Sequence, residues 1–219
     1  PKSKKRLLYN LSLKCVSIGV RGEISAECLK RMGITNVDII GCPSFYSNIG
    51  FTAERNVLLK DEGSIAINTS NILDEQKTCE KIVVQNNQES FVLIGQKSID
   101  KCDFVRENKI FYRIDLWEDY LKHNIKFCFG TRMHGNMISF LNGIPSLWIV
   151  HDLRTLELCE VLQLPFILFH KYKSISNVQY LMDIAKYDTK FYNNRQLMTK
   201  EYISFLNKNN VPNYWNNFS

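Results

Sequence analysis

The chain has 219 residues, 45% of them hydrophobic and 12% aromatic, which is long enough for a sizeable core and too apolar for its charge to stay disordered. Its net charge of +6 is spread along the chain apart from Lys2, Lys4, Lys5 and Arg6. With no zinc-finger spacing and no basic stripe interleaved with aromatics, this argues against nucleic acid and suits acidic small molecules. Seven cysteines at irregular spacing without a Cys-x-x-Cys pair point to a reduced, cytoplasmic setting, and no signal peptide or run of 18 apolar residues is present.

The basic amino-terminal run reads as a solvated tail that tolerates a membrane surface. The chain begins at Pro1 and opens almost at once on a strand-like run, so it is expected to be a fragment or processed form. Strands are predicted at Cys15–Val20, Val37–Ile40, Ser64–Ile67, Phe91–Ile94, Lys109–Tyr112, Phe127–Phe129, Ser146–Val150 and Phe166–Phe169. Their continuous apolar character implies a parallel sheet covered on both faces. Helices are predicted between them at Glu23–Met32, Leu73–Asn86, Leu116–His123, Asn136–Leu141 and Thr155–Leu162, with Gly33 and Gly143 as carboxyl-terminal stops. Beyond Lys173 come two more, Ile175–Tyr187 and Thr189–Lys208, and then a loose Asn-rich end.

Pro43, Ser44, Asn48 and Gly50 interrupt the pattern and mark a domain boundary. Residues 1–50 are expected to be a tail and the last strand, helix and strand of one Rossmann-like domain. Residues 51–172 supply a second Rossmann-like domain with the donor site, and 173–219 are carboxyl-terminal helices, of the kind that close a domain by packing across its surface, and a loose tail.

Ligands of open parallel sheets bind at the carboxyl ends of strands, where helix amino-termini present amide groups to anions. Gly130-Thr-Arg-Met-His-Gly135 falls at such a place. Gly130 and Gly135 permit tight turning and close backbone approach. Arg132 offers a planar fork for phosphate or carboxylate, and His134 a hydrogen bond or an exchangeable proton. The Gly-x-x-x-x-Gly spacing is that of a P-loop, but Asn136 and Met137 stand where Lys and Ser or Thr are needed, so an ATP loop is rejected. The competing reading makes Arg132 a cap on a neighbouring carbonyl and His134 a structural residue.

His151-Asp152-Leu153-Arg154-Thr155 lies at the next strand end, where Asp152 or Thr155 is suited to cap a helix. A third strand-to-helix turn carries Arg21, either as part of an anion pocket or in a surface ion pair with Glu23 or Glu27. No spacing implies a metal.

Taken together, Val-Arg-Gly-Glu-Ile-Ser-Ala-Glu at 20–27, Ile-Gly-Cys-Pro-Ser at 40–44, Gly-Thr-Arg-Met-His-Gly-Asn at 130–136 and Trp-Ile-Val-His-Asp-Leu-Arg-Thr-x-Glu-Leu at 148–158 resemble the polysaccharide pyruvyl transferase family. The likeness covers about residues 14–169 in order and spacing. It implies an α/β fold of two Rossmann-like domains in the glycosyltransferase-B arrangement, of which this chain holds the second and only the end of the first.

The implied reaction moves the enolpyruvyl unit of phosphoenolpyruvate onto two hydroxyls of a sugar in a cell-surface polysaccharide or its precursor, as a ketal, releasing phosphate. Phosphoenolpyruvate enters as donor substrate and no cofactor is implied. The acceptor is a glycan or lipid-linked saccharide, in a cytoplasmic setting that extends to peripheral association with the inner face of the membrane. Arg132 and His134 match the family's basic donor-binding pair, with His134 as acid or phosphate holder, and Gly135 and Asn136 lie in the same motif. Arg21 matches by its own motif, while His151, Asp152 and Arg154 match a recurrent segment. Two alternatives stay open: a glycosyltransferase using a nucleotide sugar on the same architecture, and a truncated, non-catalytic glycan-binding domain.

Overall fold

A computed structural model of the chain describes residues 2–46, 60–69, 73–95, 104–105, 107–186 and 190–213. The chain divides into two units, one made of Pro1–Ala53, Leu156–Gln163 and Lys190–Ser219, the other of Glu54–Thr155 and Leu164–Thr189.

In the larger unit the apolar runs form a six-stranded sheet: β3 (Ser64–Asn68), β4 (Phe91–Gly95), β5 (Glu107–Ile110), β6 (Ile125–Gly130), β7 (Ser146–Val150) and β8 (Phe166–Leu168). The spatial order is β5-β4-β3-β6-β7-β8, and every pairing is parallel. This is the doubly wound, Rossmann-like order, in which the chain runs outward one way from β3 and then resumes on β3's other side with β6.

Alternate residues of the strands feed two cores. Ile65, Ile67, Leu93, Phe127, Phe129, Leu147 and Ile149 pack with Cys79 and Ile82 of α3 (Leu73–Gln85) and with Val178, Leu181 and Met182 of α8 (Val178–Lys186). Ala66, Val92, Ile94 and Cys128 pack on the other face with Trp117 and Leu121 of α4 (Ile114–Asn124). Both faces are therefore covered, which is why the strands are continuously apolar instead of alternating. One irregularity sits where Ser64 pairs with Ile125 but Ile65 pairs with Phe127, so Lys126 is an extra residue and the facing of β6 shifts across it.

The smaller unit holds a two-stranded parallel ladder, β1 (Ile18–Val20) with β2 (Val37–Ile39), joined by α2 (Glu23–Arg31). A short 3-10 helix, Pro43–Tyr46, follows, and Tyr46 stacks on Tyr202 of α9 (Lys190–Lys208) at 4.1 Å between ring centroids. Lys208 bridges to Asp38 at 2.9 Å.

The amino-terminal run corrects the expectation of a tail. Lys2–Ser12 is a helix, α1. Lys, Arg and Leu are good helix formers, and the carbonyls at its end are held by the Asn36 amide, which donates to Ser12 at 2.9 Å and Cys15 at 3.0 Å. Those bonds keep Cys15 and Val16 out of the ladder, so β1 starts three residues later than the apolar run suggests. No helix among the described residues is long and apolar enough to cross a membrane. The predicted elements' portions at residues 187–189 and the interruption at Asn48 and Gly50 lie outside the described residues.

Candidate anion site at the strand-order reversal

The carboxyl ends of β3 and β6 are where the order of the large sheet reverses, with Asn68 in register with Gly130. In this class of sheet the two flanking connections leave toward opposite faces and open a crevice between the strand ends. The glycine-bounded turn stands there.

Helix α5 runs Met133–Leu141, three residues earlier than its sequence pattern suggests. Arg132 is its N-cap residue, and His134 belongs to its first turn. The reason lies in Gly135, which reads as a breaker but supplies room. A Cβ at that position would stand 2.6 Å from Asn68 Oδ1 and 2.7 Å from its Cγ. Gly130 has φ +149°, and a Cβ there would overlap the Asn68 main chain. Both glycines are thus demanded by the closeness of one residue, Asn68.

Asn68 is 1% exposed and joins the floor of the turn together. Its carbonyl accepts from Arg132 N at 3.1 Å. Its side-chain amide donates to Cys128 Sγ at 2.8 Å and to Asn136 Oδ1 at 3.3 Å. Asn136, fully buried, donates in turn to the carbonyls of Gly130 at 2.9 Å and Leu147 at 3.1 Å. The Cys128 thiol donates to Asn136 Oδ1 at 3.2 Å. Burial pushes that thiol up to about 12, despite hydrogen bonds that lower it, and keeps it neutral.

Thr131 is held separately by Glu75 in the first turn of α3, which accepts from Thr131 N at 3.2 Å and Thr131 Oγ1 at 2.8 Å. Trp148 Nε1 donates to the Met133 carbonyl at 3.2 Å, tying β7 to the start of α5.

Against this floor, Arg132 is half-buried and His134 exposed. The Arg132 side chain does not cap its own helix. Among the described residues it has no carboxylate within ion-pair distance. A guanidinium at a helix amino-terminus, in a turn at the sheet's ligand-binding edge, can take an oxyanion by a bidentate contact. Gly135 is buried against Asn68, and the amide of Asn136 is committed to the floor, so what Asn136 contributes here is the shape of the turn.

The second predicted cluster follows β7, the strand next to β6. Asp152 Oδ1 accepts from Thr155 N at 2.7 Å and so caps α6 (Leu153–Leu162). Burial alone would raise this carboxyl. The hydrogen bonds from Thr155 and the charges of His151 and Arg154 outweigh it and hold the pKa below 3.8. His151 Nε2 lies 3.8 Å and Arg154 3.9 Å from Asp152 Oδ2, and Arg154 is mostly exposed.

Arg21, half-buried, belongs to the smaller unit, directly after β1. There the amino-terminus of α2 already has an anion. Glu157, 5% exposed, accepts from Ser25 N at 2.5 Å and from Ser25 Oγ at 2.8 Å. Gly22 makes room for it, because a Cβ there would overlap the Glu157 side chain.

Sequence reasoning singled out Arg132, His134 and Asp152 but passed over Asn68, Glu75 and the role of Glu157. Asn68 had one usable signal, a polar residue closing an apolar strand. Glu75 had none, since an acid in the first turn of a helix is ordinary. Among the described residues no three His, Cys, Asp or Glu side chains gather as metal ligands would.

Comparison with solved structures places the fold. UDP-GlcNAc 2-epimerase from Neisseria meningitidis, bound to UDP-GlcNAc, is similar at 15% identity and TM-score 0.51, over 90% of this chain and 62% of that one. The glycosyltransferase SnogD from Streptomyces nogalater gives 12% identity and TM-score 0.41, over 82% and 57%. The chain thus spans about three fifths of the length of these proteins. A comparison with curated proteins gives no match. The model of one family, polysaccharide pyruvyl transferase, matches residues 1–152, which include both glycines, Arg132 and His134 of the turn as well as Arg21. The chain belongs to the polysaccharide pyruvyl transferase family.

Proposed function

We propose that this chain carries the donor site of a transferase that moves the enolpyruvyl group of phosphoenolpyruvate onto two hydroxyls of a glycan or lipid-linked saccharide, forming a pyruvate ketal. The observation that supports it most is Arg132, with no carboxylate partner among the described residues, at the start of α5, beside His134 and over a floor whose polar groups are bonded to one another.

Phosphoenolpyruvate presents a phosphate and a carboxylate. In the reaction the methylene carbon gains a proton, two sugar oxygens bond to the central carbon, and its bond to the phosphate oxygen breaks. Of the two hydroxyl protons released, one balances the new methyl group and the other leaves on phosphate. Arg132 serves to hold one anionic group of the donor. His134, exposed, serves as acid toward the methylene carbon or the departing phosphate. No cofactor enters this scheme. His151 and Arg154, at the neighbouring strand end, are assigned to the donor or acceptor periphery. Cytoplasmic action at the inner face of the membrane follows from the class of acceptor.

Calorimetric titration of the chain tests the reading. It requires binding of phosphoenolpyruvate and loss of about 2 to 5 kcal/mol of affinity in Arg132→Ala, the range for truncating one partner of a desolvated charge pair. Arg21→Ala belongs to the same series, and a matching loss assigns it to the donor. Binding of UDP or GDP sugars with none of phosphoenolpyruvate supports the nucleotide-sugar alternative and defeats this reading.

A further inference from the structure

Glu75 is a carboxylate with 0% of its surface exposed. Acidic side chains are rarely buried so fully, and this one lies beneath the turn that carries Arg132 and His134, bonded to its main chain.

Glu75 takes both the main-chain N–H and the hydroxyl of Thr131, the residue immediately before Arg132. A carboxylate is the side chain that accepts at two points without offering a donor in return. The two residues flanking Thr131 are tied elsewhere: Gly130's carbonyl to Asn136, and Arg132's N–H to the Asn68 carbonyl. Gly130, Thr131 and Arg132 are thus each fixed by a different buried partner, and Glu75 supplies the middle one. Helix α3 is anchored next door, where Lys173 bridges to Asp74 at 2.5 Å.

We infer that Glu75 is a positioning residue for the Arg132 and His134 anion site, acting through Thr131 to set the angle at which the turn presents them. This rests on the reading that the site takes the phosphoenolpyruvate donor.

The test uses the whole chain and three substitutions: Thr131→Val, which removes the hydroxyl bond, Thr131→Ser, which keeps both bonds, and Glu75→Gln, which keeps one acceptor. Phosphoenolpyruvate is titrated calorimetrically well below each protein's melting temperature. Thr131→Val and Glu75→Gln are expected to weaken binding roughly tenfold, the equivalent of one hydrogen bond, while Thr131→Ser binds as the parent does. Melting temperatures that fall while affinities stay within twofold overturn the inference and leave Glu75 a purely structural acid. Amide NMR spectra of the ligand-free proteins separate this from the donor reading. If the parent does not bind phosphoenolpyruvate, the donor assignment fails. The Arg132 and His134 resonances still decide the positioning role, moved by Thr131→Val but not by Thr131→Ser if it holds, unmoved by either if it does not. Should Glu75→Gln fail to fold, the Thr131 pair carries the same decision.

Discussion

Replacing Asn136 by Leu, of similar volume, separates a floor residue from a ligand contact. The side chain is fully buried and donates to the carbonyls of Gly130 and Leu147 while accepting from Asn68 Nδ2. The substitution leaves those three polar atoms each short of one partner in a fully buried site, and the weaker bond from the Cys128 thiol is lost as well. A buried group left unsatisfied costs about 1 to 3 kcal/mol. The lower end applies here, since a carbonyl has a second lone pair, and three such losses come to about 3 kcal/mol. At about 2 to 4 °C per kcal/mol for a chain of this size, the melting temperature should fall by roughly 6 to 12 °C. Circular dichroism melts and urea titrations check this, with the midpoint shifting and the slope retained. A variant that melts within about 2 °C of the parent but loses its affinity for phosphoenolpyruvate would show that the Asn136 amide serves the ligand.

Gly135→Ala forces a methyl group to 2.6 Å from Asn68 Oδ1 and should cost about 1 to 3 kcal/mol in urea unfolding, the range for overpacking; a neutral outcome would mean that Asn68 moves freely. Glu157→Ala strips the acceptor from Ser25 at the start of α2 and should destabilise by about 1 to 2 kcal/mol, as loss of a helix cap does; an unchanged urea midpoint would refute that role. Asp152 has a depressed pKa in the folded chain, so its ionic contribution is fully present above the unfolded pKa of about 4 and is lost as pH falls through the folded value. Because Asn caps helices as well as Asp does, Asp152→Asn should be less stable than the parent at neutral pH and equal to it in acid. A stability difference independent of pH would remove the charge from the explanation.

The strands were legible because a parallel sheet covered on both faces needs unbroken apolar runs, and runs such as Ser-Leu-Trp-Ile-Val at 146–150 leave little else to form. The position of the glycine turn was legible for a related reason: an apolar strand ended at Gly130 and a helix had to follow. What escaped was the helix start. Gly135 looks like punctuation in one dimension, while in three it is the space that Asn68 fills. Asn68 and Glu75 meet their partners across 68 and 56 residues of chain, and no local spacing carries such information. Helix α1 escaped because most of its residues are exposed, so no buried stripe marks its period.

The floor of the turn also explains why polar residues are placed where a sheet would ordinarily put apolar ones. At the reversal of strand order the connections after β3 and β6 lead to helices on opposite faces, α3 on one and α5, whose Ile138 packs with the α4 core, on the other. The ends of β3 and β6 are therefore left without a helix laid squarely across them. Apolar side chains would fill that gap but leave the Gly130 and Leu147 carbonyls unbonded. Asn136 reaches both, and Asn68 holds Asn136 and the main chain at Arg132. The neutral thiol of Cys128 lies between the two amides as acceptor from one and donor to the other. If the turn takes the proposed anion, it loses little freedom on binding, because hydrogen bonds already fix the backbone around Arg132. On the proposed reading the ordering cost left falls chiefly on the Arg132 side chain, whose replacement should change affinity without changing the fold.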